Sequence, residues 1–106
     1  MKVYMVDIDG TICSEFLLLD GSKNYNKAKP IKDRIKKLNN LFDKGNEIHY
    51  WTARGSLSGL DHKELTVKQL KEWGCKYTSL RVGDKPHYDI WVDDKAVWSE
   101  EYFRNK

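Results

Sequence analysis

Runs of apolar and polar residues divide the chain into short segments with recognisable periods. Val3 to Val6 is apolar on both faces and stops at Asp7, the pattern of a buried strand. Residues 10–30 lose any period. Gly10, Gly21, Ser22, Asn24, Asn26 and Pro30 punctuate them around an apolar patch at Phe16 to Leu19, which predicts a flap built as a small hairpin. Pro30 then opens a helix to about Lys44, with Ile31, Ile35, Leu38 and Leu41 or Phe42 on one face and lysines on the other. Gly45 ends it. Glu47 to Thr52 is a second strand. Beyond a loop rich in Gly and Ser, Asp61 and Glu64 have the spacing of an N-cap and its returning acid, opening a helix that carries Leu65, Val67, Leu70 and Trp73. Gly74 stops that helix. Thr78 to Val82 reads as a third strand, Asp89 to Val92 as a fourth that runs into Asp93 and Asp94, and Ala96 to about Arg104 as a closing helix.

This order predicts an α/β fold, a mostly parallel sheet with right-handed crossovers and a cover of helices. At 106 residues there is room for a single domain, 1–106, with one core. Apolar residues at 40% against 33% charged exclude disorder as the default. A net charge of +3 is too small and scattered for a nucleic-acid binder, though it suits a small anionic substrate. Cys13 and Cys75 match neither a metal spacing nor a disulfide framework and read as reduced thiols. No run approaches the about 18 apolar residues of a membrane span, and the first residues do not form a signal peptide, so the expected compartment is the cytoplasm.

Ligands of such sheets bind beyond the carboxyl ends of the strands. Three predicted strands end in polar residues there: Asp7 with Asp9, Thr52 with Arg54, and Asp93 with Asp94, while Lys85 lies in the loop before the last of these. Four neighbouring carboxylates repel one another and raise one another's pKa values, unless a cation holds them. Hard oxygen ligands select Mg²⁺. Carboxylates, a hard dication and the charges of Lys85 and Arg54 together suit a phosphate.

The residues DIDGT at 7–11 resemble the first motif of the haloacid dehalogenase (HAD) superfamily, a strand ending in DxDGT. Thr52 resembles the second motif, Lys85 the lysine of the third, and Asp93-Asp94 the acidic fourth. AKP before the first helix, TAR at 52–54, GDKP at 83–86 and VDDKAV at 92–97 are similar to capless phosphatases of capsular-polysaccharide biosynthesis. The resemblance implies a small Rossmann-like three-layer sandwich. The short segments after the first strand and after Thr52 leave no room for a cap domain.

The resemblance also implies roles. Asp7 is the expected nucleophile, forming an aspartyl-phosphate, and Asp9 the general acid and base, swung back by the turn at Gly10. Thr52 is expected to hydrogen-bond a phosphoryl oxygen and Lys85 to neutralise charge, with Lys71 and Lys76 as substitutes because Lys85 precedes Asp94 by few residues. Gly10, Thr11, Ala53 and Arg54 are expected to contact substrate. Mg²⁺ is expected on Asp7, the backbone carbonyl of Asp9 and Asp94, with Asp93 acting through a water.

The expected activity is hydrolysis of a small phosphate monoester, such as a sugar phosphate of surface-glycan synthesis. Specificity would then come from the flap, the loop at 55–61 or a neighbouring subunit of a homo-oligomer. Two other classes stay open: a phosphatase for nucleic-acid ends, which the lack of a basic and aromatic stripe argues against, and a catalytically silent binding module. The three histidines read as structural or solvent-facing and the four tryptophans as packing residues, although His87 and Tyr88 lie near Lys85.

Overall fold

The computed structural model describes every residue except Phe16, Ser22, Leu57, Ser58, Leu60, His87, Asn105 and Lys106. Its elements run β1 (Val3–Val6), a 3₁₀ turn (Tyr25–Lys27), α1 (Lys32–Asp43), β2 (Glu47–Thr52), α2 (Lys63–Glu72), β3 (Ser79–Val82) and α3 (Ser99–Arg104). The strands form one parallel sheet in the order β1-β2-β3, with Val6 opposite Tyr50 and Thr52 opposite Val82.

Alternation along β2 sets the two faces apart. Ile48, Tyr50 and Thr52 are buried, and the residues between them are only partly covered. The buried face meets Ile35 and Leu38 of α1, Leu70 of α2, and Ile8, Ile12 and Cys13 from the chain after β1. Connecting parallel neighbours needs a crossover, and here each crossover is a helix whose apolar stripe covers this face. Val3 and Met5 stand exposed on the opposite face, where Trp91 meets Trp51 of β2 edge-on at 6.2 Å between ring centres. Helix α3 instead packs on α1, where Arg34 bonds Glu100 at 2.7 Å and lies over the Phe103 ring.

The helix ends follow local chemistry. Pro30 does not open α1 directly. It pairs with Cys13 in an isolated antiparallel bridge, and the Ile31 N–H donates to the Ile12 carbonyl, so Ile31 stays extended and the helix begins at Lys32. Helix α2 closes with Gly74 at φ 73°, a left-handed position that glycine adopts without steric cost. The Cys75 and Gly74 N–H groups then return to the carbonyls of Leu70 and Lys71, a Schellman ending. Asp61 accepts the Lys63 N–H at 2.9 Å, but the structural cap is His62. The flap is hairpin-like as expected, through an antiparallel bridge between Leu17 and Lys23. Phe16, part of its expected apolar patch, lies outside the described residues.

The fourth strand is absent: residues 89–92 are irregular, with Ile90 and Val92 strongly exposed. Local bonds win over sheet pairing here. Trp91 turns toward Trp51 and Tyr88, and Asp93 accepts from the Trp91 indole at 3.2 Å and from the Lys95 N–H at 2.8 Å. An Ile-Trp-Val run has strand propensity, but that propensity expresses a packing surface as much as a backbone preference.

Leu38, 1% exposed at the centre of the core, sets a test of this architecture. Leu38→Ala is expected to lower unfolding stability by about 2–5 kcal/mol. In urea titration this should appear as a lower midpoint with an unchanged slope.

Candidate active site

Parallel pairing sends the carboxyl ends of all three strands to one edge, and a polar cleft opens there. Asp7, Asp9, Thr52, Ala53, Arg54 and Lys85 all line it. Its volume is about 180 Å³, below the ~300–1,000 Å³ of pockets that enclose a drug-sized ligand. It can enclose a group the size of a phosphoryl and leaves the remainder of a ligand outside. A wider groove of about 480 Å³ beside α1 and the end of α2 is lined by Lys32, Lys36, Asn39 and Trp73, and holds none of these residues.

Asp7 follows β1 directly. Lys85, nearly buried, brings its Nζ within 3.4 Å of Asp7 Oδ1. Burial in the cleft pushes the Asp7 carboxyl above its ordinary value of 3.8, against the pull of the Lys85 ammonium and the Ile8 N–H, and the Asp9 charge pushes it further. The chain then turns sharply: the Thr11 and Ile12 N–H groups both donate to the Ile8 carbonyl. Gly10 takes φ 80° in this turn, and a Cβ there would stand 3.1 Å from Glu15 Oε1. Asp7 and Asp9, on either side of Ile8, both line the cleft at this turn.

Arg54 meets Asp9 with a two-pronged fork, Nε to Oδ2 at 3.0 Å and Nη2 to Oδ1 at 2.9 Å. Its side chain has no exposed surface. Arg54, expected to contact substrate, lines the cleft with its fork engaged in an internal ion pair, so that its charge is directed to a carboxylate of the same chain. The Thr52 hydroxyl accepts the Arg54 N–H at 3.2 Å, which leaves the hydroxyl hydrogen to donate elsewhere.

Other expected residues stand apart from the cleft. Gly10 and Thr11 do not line it. Their carbonyls accept from Ser99 Oγ at 3.3 Å and Arg34 Nη1 at 3.0 Å, turned toward α3 and α1. Asp93 and Asp94 do not line it either. Asp93 is held below the usual carboxylate range, first by the Lys95 N–H and then by the Trp91 indole. The strand expected to bring this pair to the edge is unformed, and among the described residues no group of three or more acidic, His or Cys side chains could hold a metal. The cleft itself offers Asp7 toward a hard dication. Mg²⁺ keeps several waters and takes as few as one or two carboxylates plus substrate phosphate, so the Asp7 carboxylate is a ligand of the kind it needs.

Of the substitutes for Lys85, Lys76 bonds Asp43 at 2.9 Å, and neither it nor Lys71 lines the cleft. Cys13, beneath Asp9, is buried, and burial with the Asp9 charge pushes its thiol up to about 12. His87 lies outside the described residues. Tyr88 does line the cleft, together with Glu15, Lys23 and Tyr25 from the flap, which no motif marked. Thr66 and Gln69, which support Arg54, had a visible signal: they are polar positions beside Leu65 and Leu70 on the apolar side of α2.

No family model and no curated protein matches the chain. A crystal structure of an MCSG target from Vibrio cholerae is similar to it, with a TM-score of 0.78 and 25% identity over 96% of this chain and 87% of that one. The fold is a Rossmann-like α/β fold without a cap. No described helix is long and apolar enough to cross a membrane.

The raised Asp7 carboxyl gives a signed prediction. Because the folded state holds this proton more tightly than the unfolded chain, Asp7 lowers stability as pH rises above 3.8. Asp7→Asn is expected to unfold at a higher temperature than the wild type at pH 7. This advantage should shrink as pH falls toward 3.8 in matched thermal melts.

Proposed function

We propose that the chain is a Mg²⁺-dependent phosphatase that hydrolyses a small phosphate monoester through an aspartyl-phosphate on Asp7. What supports this reading is one observation: Asp7, Asp9, Thr52 and Lys85 line a single phosphate-sized cleft at the carboxyl edge of a parallel sheet. That combination supplies a nucleophile, a proton carrier, a neutral donor and a cation to one small volume.

In the proposed reaction an Asp7 carboxylate oxygen attacks phosphorus while the P–O bond to the alcohol breaks. Protonated Asp9 gives its proton to the departing alkoxide. A water then attacks the phosphorus of the aspartyl-phosphate, its proton passes to Asp9, and the bond to Asp7 breaks. Ester and water have become alcohol and inorganic phosphate, with both aspartates restored. A carboxylate has about four lone-pair positions, so the two that Asp9 gives to Arg54 leave room for this proton. Thr52 donates to a phosphoryl oxygen. Lys85, beside Asp7, counters the charge that gathers on the transferred group.

Mg²⁺, held by Asp7 and the Asp9 carbonyl, would neutralise phosphoryl oxygens and so ease attack by an anion. The small cleft leaves the alcohol part of the substrate outside, against the flap and Tyr88. Sugar phosphates are the first class to screen, and the cytoplasm is the compartment in which we place the activity.

Phosphate release from a panel of phosphorylated metabolites is expected with Mg²⁺ and lost with EDTA. Asp7→Asn should lower kcat by about 10³-fold or more. No release from any ester by the wild type would discard the proposal.

A further inference from the structure

We infer that Arg54 is a positioning residue that fixes the Asp9 carboxylate and ties it to the flap, an inference that rests on the phosphatase reading for its catalytic meaning. The guanidinium carries five N–H donors in a rigid planar fork. Nε and Nη2 take the two Asp9 oxygens, and Nη1 takes Thr66 Oγ1 at 3.1 Å and Gln69 Oε1 at 2.6 Å. The ring of Tyr25 lies against its face, 4.7 Å from Cζ. All three nitrogens are therefore engaged within the protein, and the plane of the fork sets the plane of the carboxylate.

The supports behind Arg54 are themselves directed. The Thr66 hydroxyl donates to the His62 carbonyl at 2.7 Å, so its oxygen is left to accept from Arg54. The Gln69 amide donates to the Tyr25 carbonyl at 2.7 Å, which turns its Oε1 toward Nη1. One buried chain thus runs from Asp9 through Arg54 and Gln69 to the backbone of the flap. Tyr25 also lines the cleft. A shift of the flap would reach Asp9 by two routes, through the Tyr25 ring and through Gln69.

The purpose is orientation. Proton transfer needs Asp9 within about 2.6–3.2 Å of the leaving oxygen, and a misplacement near 1 Å can cost about 10²-fold in rate. Gln69 is buried and does not line the cleft, so it can affect turnover only through Arg54 and the flap.

Two measurements test this. Kinetics of Gln69→Leu and Arg54→Lys, each checked for folding by thermal melts, should show kcat reduced about 10–10²-fold with KM within about twofold of wild type. An Arg54 that gripped phosphate would instead raise KM in Arg54→Lys and leave Gln69→Leu near wild type, which would overturn the inference. Nitrogen-15 NMR supplies a readout independent of turnover. The Arg54 Nε–H should be protected from solvent exchange in the wild type and lose that protection in Asp9→Asn. An unprotected signal in the wild type overturns the clamp whatever the kinetics. If the wild type hydrolyses no ester, the phosphatase reading falls while a protected, Asp9-dependent signal still upholds the clamp.

Discussion

Charge compensation at the sheet edge is the constraint on which the site depends. Asp7 and Asp9 lie two residues apart in a turn that the fold partly buries, and each is met by a basic side chain from a later segment: Asp7 by Lys85, Asp9 by Arg54. Removing one partner of a buried pair such as Asp9–Arg54 costs about 3–5 kcal/mol, because the other charge is left unpaired. The two pairs differ in kind. Arg54 forms a buried two-pronged contact with further supports, which suits holding a group still. Lys85 is a single ammonium at a looser distance from a half-exposed carboxylate, which suits sharing its charge with a ligand.

This division explains what the sequence made legible. The three strands, two long helices and glycine stops were readable because their signals are local: a short apolar run, a 3.6-residue period, a left-handed C-terminal residue. The convergence of Asp7, Thr52 and Lys85 was readable as well, since strand order and parallel pairing put the carboxyl ends on one edge. The partnership of Arg54 was not. A single sequence shows that Arg54 follows Thr52 closely, but whether its fork turns to a ligand or to Asp9 depends on Thr66 and Gln69, more than ten residues along.

Residues 89–94 mark the other limit. Their composition favours a strand, and placing the acidic pair at the sheet edge depended on that strand forming. In the structure the apolar residues Ile90 and Val92 face outward, Trp91 is drawn to Trp51, and Asp93 turns back on its own segment. Strand propensity becomes a strand when a neighbour and a buried face are available. Here the aromatic contact on the open face competes with both.

The bond between Ser99 Oγ and the Gly10 carbonyl spans 89 positions of a 106-residue chain, and the Asp9–Arg54 pair spans 45. The cleft draws its own residues from as far apart as Asp7 and Tyr88, so its loop closures are long. During synthesis on a ribosome, the aspartates emerge well before the lysine and arginine that neutralise them. The acidic turn then stays solvated until those partners have left the ribosome, and the pocket closes only after they have.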